Sequence, residues 1–247
     1  MPEPTTTLAL AVWPPHAGGE RRHAYLAASR GKHRIAPELA ARAILAYSDP
    51  GDLVVDPHCG IGTVLIEAIQ NGRRAIGIDP DRSRAALATA NISHARQQGA
   101  AGRAAVIEGD PAQLPRLLPK AAAILNPPAS STQHGRVRRH PAGSTQLILT
   151  AAPARTTVAL LSSWMSVLAP GGFLLLVHTQ AAGKPRRGLG ATVAAAEQAG
   201  LQYWQHVIAL HTAAAELLHT DVLSFRKPHP NRAAARRDEL GRKSVAA

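Results

Sequence analysis

Apolar positions along the chain fall into two alternating kinds of run. Short, uniformly apolar or β-branched runs cover 53–56, 74–79, 104–108, 122–125, 173–178, 201–210 and 218–225, as strands buried in a sheet do. Between them lie segments whose apolar residues recur at helical spacing, over 36–47, 63–71, 82–98, 111–118, 144–168 and 191–199. The punctuation agrees. Pro37 stands in the first turn of the first helix, where a missing N–H is tolerated. Ser48-Asp49-Pro50-Gly51-Asp52 reads as a turn, Pro170-Gly171-Gly172 as another, and Gly200 stops the last helix. Seven strands alternating with helices predict an α/β fold with helices on both faces of the sheet. Residues 1–19, with Pro2, Pro4, Pro14, Pro15 and the pair Gly18-Gly19, predict an extended arm.

The turn after the first strand, Asp56-Pro57-His58-Cys59-Gly60-Ile61-Gly62-Thr63, organises the rest. A short strand, a glycine-rich turn and a helix open a βαβ nucleotide-binding unit. Gly60 and Gly62 permit positive φ and close approach of backbone to a ligand. The following helix offers free N–H groups and a positive dipole end. Asp56, at the strand's carboxyl end, can accept from a cationic or hydroxyl-bearing ligand. A dinucleotide fingerprint is excluded because the third glycine is missing, and a phosphate loop because no Gly-Lys-Ser/Thr follows. Taken alone, the two glycines fit any α/β turn.

Three further residues mark strand ends. Asp79 closes the second strand, 23 positions after Asp56, where a carboxylate can accept both hydroxyls of a ribose; capping of the helix that starts at Asp81 is the alternative. Asp110, after Gly109, can accept from an adenine amino group or cap the next helix. The fourth strand, 122–125, runs into Asn126-Pro127-Pro128. Prolines cannot donate to a ladder, so the sheet is expected to stop with Asn126 at its carboxyl edge, where open α/β sheets bind ligands. A proline-rich turn is the structural alternative.

Composition narrows the class. A chain of 247 residues, 45% apolar, suits one large α/β domain, and with 3% aromatics its core must rest on Leu, Val, Ile and Ala. No apolar run approaches the ~18 residues of a membrane span, and the N-terminus lacks a signal-peptide pattern. The one cysteine, Cys59, forms no internal disulfide and no Cys-based zinc site, and the 12 histidines are scattered. A cytoplasmic protein without a metal is expected. The net charge of +12 predicts a polyanionic partner. Its cations are grouped: Arg21, Arg22, Arg30 and Lys32; Arg136, Arg138 and Arg139; Lys184, Arg186 and Arg187; and a run from Arg226 to Lys243. The competing explanation is the composition bias of a GC-rich genome.

Asp56 to Thr63 as D-P-x-C-G-x-G-T, with Gly77-Ile78-Asp79 and Asn126-Pro127-Pro128, resembles the S-adenosylmethionine (SAM) dependent amino-methyltransferase superfamily. That superfamily includes DNA adenine-N6 and cytosine-N4 methylases and tRNA guanine-N2 methyltransferases. Lys32-His33-Arg34-Ile35-Ala36-Pro37-Glu38-Leu39 is similar to the SAM-binding segment ahead of the glycine turn in DNA methylases. Val12-Trp13-Pro14 and Asp221-Val222-Leu223-Ser224-Phe225-Arg226-Lys227-Pro228 extend the likeness to actinobacterial DNA methylase or tRNA-guanine-methyltransferase-like proteins.

The resemblance implies a Rossmann-like, seven-stranded class I methyltransferase sheet with SAM as cofactor. It implies an N-terminal basic arm over 1–35, a catalytic domain over 36–228 and a basic tail over 229–247. Asp56, Gly60 and Gly62 would contact the methionine part of SAM, Asp79 its ribose and Asp110 its adenine, with His58, Cys59, Thr63 and Asn126 also at the cofactor. Asn126, Pro127 and Pro128 would form the catalytic motif. Two departures stand out: Ala129 where an aromatic usually follows Pro-Pro, and His58 after Asp-Pro. Stacking on that aromatic is worth ~1–3 kcal/mol, so Trp13, Tyr25 or His134 would have to substitute, and ring-nitrogen methylation stays open.

The chemistry of an exocyclic amine suits the motif. Its lone pair is delocalised into the ring, and two acceptors, the Asn126 side-chain oxygen and the Pro127 carbonyl, would take its N–H groups and aim the lone pair at the methyl. A compact basic domain without a separate base-reading domain points to structured RNA, ribosomal or transfer RNA, over DNA. The polar segment 129–143 and the loop 184–187 would supply phosphate contacts. A DNA methylase, a protein-glutamine methyltransferase and a non-catalytic nucleic-acid-binding protein remain alternatives.

Overall fold

The computed structural model describes residues 10–14, 25–29, 35–125, 144–178, 188–213 and 216–230. Eight strands among them form one sheet: β1 (Leu10–Trp13), β2 (Leu53–Asp56), β3 (Arg74–Asp79), β4 (Arg103–Glu108), β5 (Thr145–Ala151), β6 (Leu168–His178), β7 (Gln202–Ala213) and β8 (Glu216–Arg226). Their spatial order is β1-β7-β8-β6-β5-β2-β3-β4. All neighbours are parallel except β8, which runs antiparallel to both β6 and β7. The carboxyl ends of β2, β3, β4, β5 and β6 therefore share one edge.

Among the described residues six α-helices cover the sheet, three to a face. α1 (Pro37–Tyr47), α2 (Thr63–Gln70) and α3 (Arg82–Gln97) pack on one face around Val54, Leu147 and Val177. α4 (Leu114–Leu125), α5 (Val158–Val167) and α6 (Leu189–Gln198) pack on the other around Val55, Ile148 and Leu176. The aromatic-poor core is built from aliphatic residues, with Trp164 and Phe225 its largest buried side chains. No helix among the described residues is long and apolar enough to cross a membrane.

The structure has eight strands where the pattern predicts seven. The added one lies in the expected arm: Leu10–Trp13 pairs in parallel with β7, and Arg42 stacks over Trp13 at 5.2 Å. More consequential is the strand between β2 and β6. Residues 122–125, read as that strand, form the last turn of α4, and Thr145–Ala151, read as helix, takes the place beside β2. The reason is physical. A central strand is apolar on both faces and shows no alternation, so its run cannot be told from a buried helix by period. In 114–125 the buried positions Leu114, Leu118, Ala121 and Leu125 recur every three or four residues, which one helical stripe can bury. β6 likewise begins at Leu168 and runs through Pro170-Gly171-Gly172, where Gly171 and Gly172 exchange hydrogen bonds with Lys227.

Close packing at the head of the sheet depends on Gly77 in β3. A Cβ there would lie 2.6 Å from Leu65 Cδ1 and 2.8 Å from both Cβ and Sγ of Cys59. Gly77→Ala is expected to lower stability by about 1–3 kcal/mol through overpacking, read as a shift of the urea midpoint at constant slope. An unchanged midpoint would mean that the turn carrying Cys59 yields without cost.

Candidate cofactor and active site

The glycine turn is fastened to the end of β3 by backbone bonds. Cys59 N donates to Ile78 O at 2.9 Å and Gly62 N to Cys59 O at 2.8 Å. Gly60 and Gly62 hold φ of 53° and 87°, the left-handed region that side chains resist. Gly60 N donates to Asp79 Oδ2 at 2.9 Å, so the turn is closed by the carboxylate expected to meet a ribose. Asp79 is 2% exposed. Its Oδ1 accepts from Asp81 N at 2.9 Å and faces Arg84 Nε at 3.2 Å. Asp81, not Asp79, caps α3, its Oδ1 accepting from Ser83 N and Arg84 N. The Ser83 hydroxyl, followed by the Arg84 amide, holds the Asp81 carboxyl below the usual range.

Next to this turn lies a cavity of about 460 Å³, within the size range of small-molecule sites. Asp56, His58, Cys59, Gly60 and Thr63 line it. Asp56 is buried and accepts from His58 N at 3.0 Å, and the His58 ring meets Trp164 edge-on at 5.6 Å. Burial, reinforced by the charges of Asp56 and Asp79, pushes the Cys59 thiol up, so it stays protonated at neutral pH. Gly62 stands behind the cavity, where a Cβ would be 3.1 Å from Ala88 Cβ, and lets α2 and α3 approach.

The cavity also takes in Ile35, from the segment likened to the SAM-binding stretch ahead of the glycine turn, and Ser83, Arg84, Leu87 and Ala151, which the motif reading misses. Ser83 and Leu87 share one face of α3 by their four-residue spacing, a signal present in the sequence just after Asp79. Ala151 ends β5 and is hidden by the helical reading of that run. Asp110 sits apart. It is exposed beyond the end of β4 and accepts from Ala112 N at 2.9 Å, the capping arrangement.

The cavity fits SAM on two grounds. A Cβ at Gly60 would meet nothing within 4 Å, so the glycine leaves open space beside a polar backbone. Buried carboxylates at Asp56 and Asp79 suit a ligand with an ammonium, a sulfonium and ribose hydroxyls. Among the described residues no group of three or more His, Cys, Asp or Glu could hold a metal ion.

Asn126, Pro127 and Pro128 fall outside the described residues, as do Arg21, Arg22, Arg30, Lys32, Arg136, Arg138, Arg139, Lys184, Arg186 and Arg187. The strand end beside Gly60 belongs to β5, ending in Ala151-Ala152-Pro153. α4 is the crossover between β4 and β5, and such a helix carries the chain from the carboxyl edge towards the amino edge. Leu125, just before Asn126, closes it. Of the rings that could replace the missing aromatic, Tyr25 donates to Glu67 Oε1 at 2.8 Å and Trp13 lies on the edge strand β1. The start of the last basic run is structural. Arg226 stacks on Trp204 and Phe173 at 5.1 and 5.8 Å, and Lys227 Nζ donates to Met165 O and Leu168 O.

The family model N6_N4_Mtase, described as DNA methylase, matches residues 5–90. All the cavity-lining residues except Ala151 fall inside that span. No curated protein matches the chain by sequence. Among solved structures, the chain is similar to a SAM-dependent methyltransferase of Methanosarcina mazei, at TM-score 0.52 and 14% identity, covering 76% of this chain and 98% of that one. It is also similar to the magnesium protoporphyrin IX methyltransferase of Synechocystis PCC 6803 with bound SAM, at TM-score 0.51 and 15% identity over 77% of each chain. At these identities the likeness is one of fold.

Proposed function

We propose that this SAM-dependent methyltransferase, with its DNA methylase match over residues 5–90, methylates an exocyclic amino nitrogen of a base in structured RNA, ribosomal or transfer RNA. One observation carries the reading: a cofactor cavity built almost wholly from the matched residues sits in a chain of net charge +12. A polyanionic substrate suits that charge.

SAM, when bound, supplies an electrophilic methyl group. The residues of this chain bind and orient around it. Asp79 would accept the ribose hydroxyls, and because its Oδ1 already faces Arg84, that cation must give way. Asp81 Oδ2, 3.4 Å from Arg84 Nε, offers it a second partner. Asp56 and the turn from His58 to Thr63 would hold the amino-acid end. Asn126 and the Pro127 carbonyl would accept the two N–H groups of the target amine and aim its lone pair, with Pro128 stiffening the segment. In-line placement of this kind contributes several kcal/mol, up to roughly 7–11 in the best cases. No strong base is needed, because the alkylated nitrogen loses its proton afterwards.

The basic residues of the arm, of 136–139 and of 184–187 would contact phosphates.

A second reading, DNA adenine-N6 or cytosine-N4 methylation, is favoured by the family description itself. The test is incubation with tritiated SAM and, separately, total RNA, ribosomal subunits, DNA and protein, followed by nucleoside mass spectrometry. An N-methylated amino base in RNA is the expected product. Label in DNA alone would favour the second reading, label in protein a glutamine substrate, and SAM binding without transfer a non-catalytic role. RNA affinity should also fall steeply with salt; a flat response would leave composition bias as the source of the charge.

A further inference from the structure

Asn91 lies in the middle of α3 and is 1% exposed. Asparagine is a poor residue for a helix interior, yet this side chain is fully engaged outside its helix. Nδ2 donates to Ile61 O at 2.9 Å and to Ser29 Oγ at 2.7 Å, and Oδ1 accepts from Leu26 N at 3.1 Å. Ile61 stands between the two left-handed glycines. Its peptide with Gly62 is planar and is held at both ends: the carbonyl by Asn91, the amide by Cys59 O. Rotation of that one plane would turn out the Ile61 carbonyl and the Gly62 N–H and shift the part of the cavity wall that Ile61 forms. The other two bonds fasten residues 25–29, which lead towards Ile35 in the same wall. Tyr25, donating to Glu67, fixes that segment a second time.

We propose that Asn91 is a positioning residue for the cofactor, setting the peptide plane at the apex of the glycine turn and clipping the segment before Ile35 to it. The proposal rests on SAM as cofactor and not on the choice of acceptor, so it is tested by ligand binding alone. The full chain is titrated with S-adenosylhomocysteine by calorimetry, well below each variant's melting temperature. Asn91→Leu is expected to raise the dissociation constant at least tenfold. Ser29→Ala, which spares the bond to Ile61 and removes only one bond of the clip, should raise it by less than Asn91→Leu does. Ile92→Val, an apolar change one residue along the same helix, should lower the melting temperature and leave affinity unchanged.

Asn91→Asp gives a signature that a merely structural role would not. Ionised, the carboxylate faces the Ile61 carbonyl with no proton to offer; protonated, its O–H can donate there. Affinity of that variant should therefore recover, relative to wild type, as pH falls through the carboxyl pKa, which burial raises. Asn91→Leu binding within twofold of wild type would overturn the proposal, as would Ile92→Val losing affinity in proportion to its melting temperature. Should Asn91→Leu not fold, a flat pH profile for Asn91→Asp overturns it alone.

Discussion

Asp79→Ala is expected to weaken SAM binding about ten- to a hundredfold. Hydrogen bonds to a charged group are worth about 1.5–3 kcal/mol, and each 1.4 kcal/mol is a factor of ten. The loss has two sources. The ribose hydroxyls lose their acceptor, and Gly60 N, Asp81 N and Arg84 lose the carboxylate that organises them. Asp79→Asn separates these, since the amide keeps one acceptor oxygen while discarding the charge. Calorimetry with SAM and with S-adenosylhomocysteine, beside a melting curve, reads both. Unchanged affinity in Asp79→Ala would remove Asp79 from the cofactor site, whatever happened to stability.

Asn126→Ala is expected to act on the other half of the reaction. Loss of a preorganised hydrogen-bonding partner costs about 10²–10³ in rate, and transfer to RNA should fall by that factor. SAM affinity should remain at the wild-type value, because in this reading Asp56, Asp79 and the glycine turn hold the cofactor while Asn126 holds the acceptor. Single-turnover transfer at saturating SAM isolates the effect. Full turnover by this variant would refute the proposed orientation of the amine and shift attention to Ala151, which ends the strand beside the glycine turn and borders the cavity.

How the candidate site was assembled explains why part of it could be read early. The turn from Asp56 to Thr63 is a local object. Its glycines take positive φ for reasons internal to a few residues, and Asp79 follows at a spacing that one short βαβ unit imposes. The cavity drew five of the expected residues together for the same reason. Asp110 divides differently: its position after β4 was legible, the sequence offered cofactor contact with capping as the alternative, and the described geometry is the cap. Arg84 and Ala151 carry no distinctive signature, since an arginine on an exposed helical face and an alanine in an apolar run are ordinary. Only the path of the chain brings them to the cavity.

What the sequence determined by itself, then, is the chemistry of one strand end and the α/β alternation around it, because φ preference, helical period and short spacing are properties of neighbouring residues. Tertiary structure decided which apolar run lies beside β2. Residues 122–125 and 147–149 are alike in composition, and a strand covered on both faces has the same uniform apolarity as a buried helical turn. Hydrogen bonds to Val54 and Val55, almost a hundred positions earlier, favour Thr145–Ala151 for the slot. The capture of Leu10–Trp13 by β7 is the same kind of outcome. Both depend on backbone partners far away along the chain, which no local period can encode.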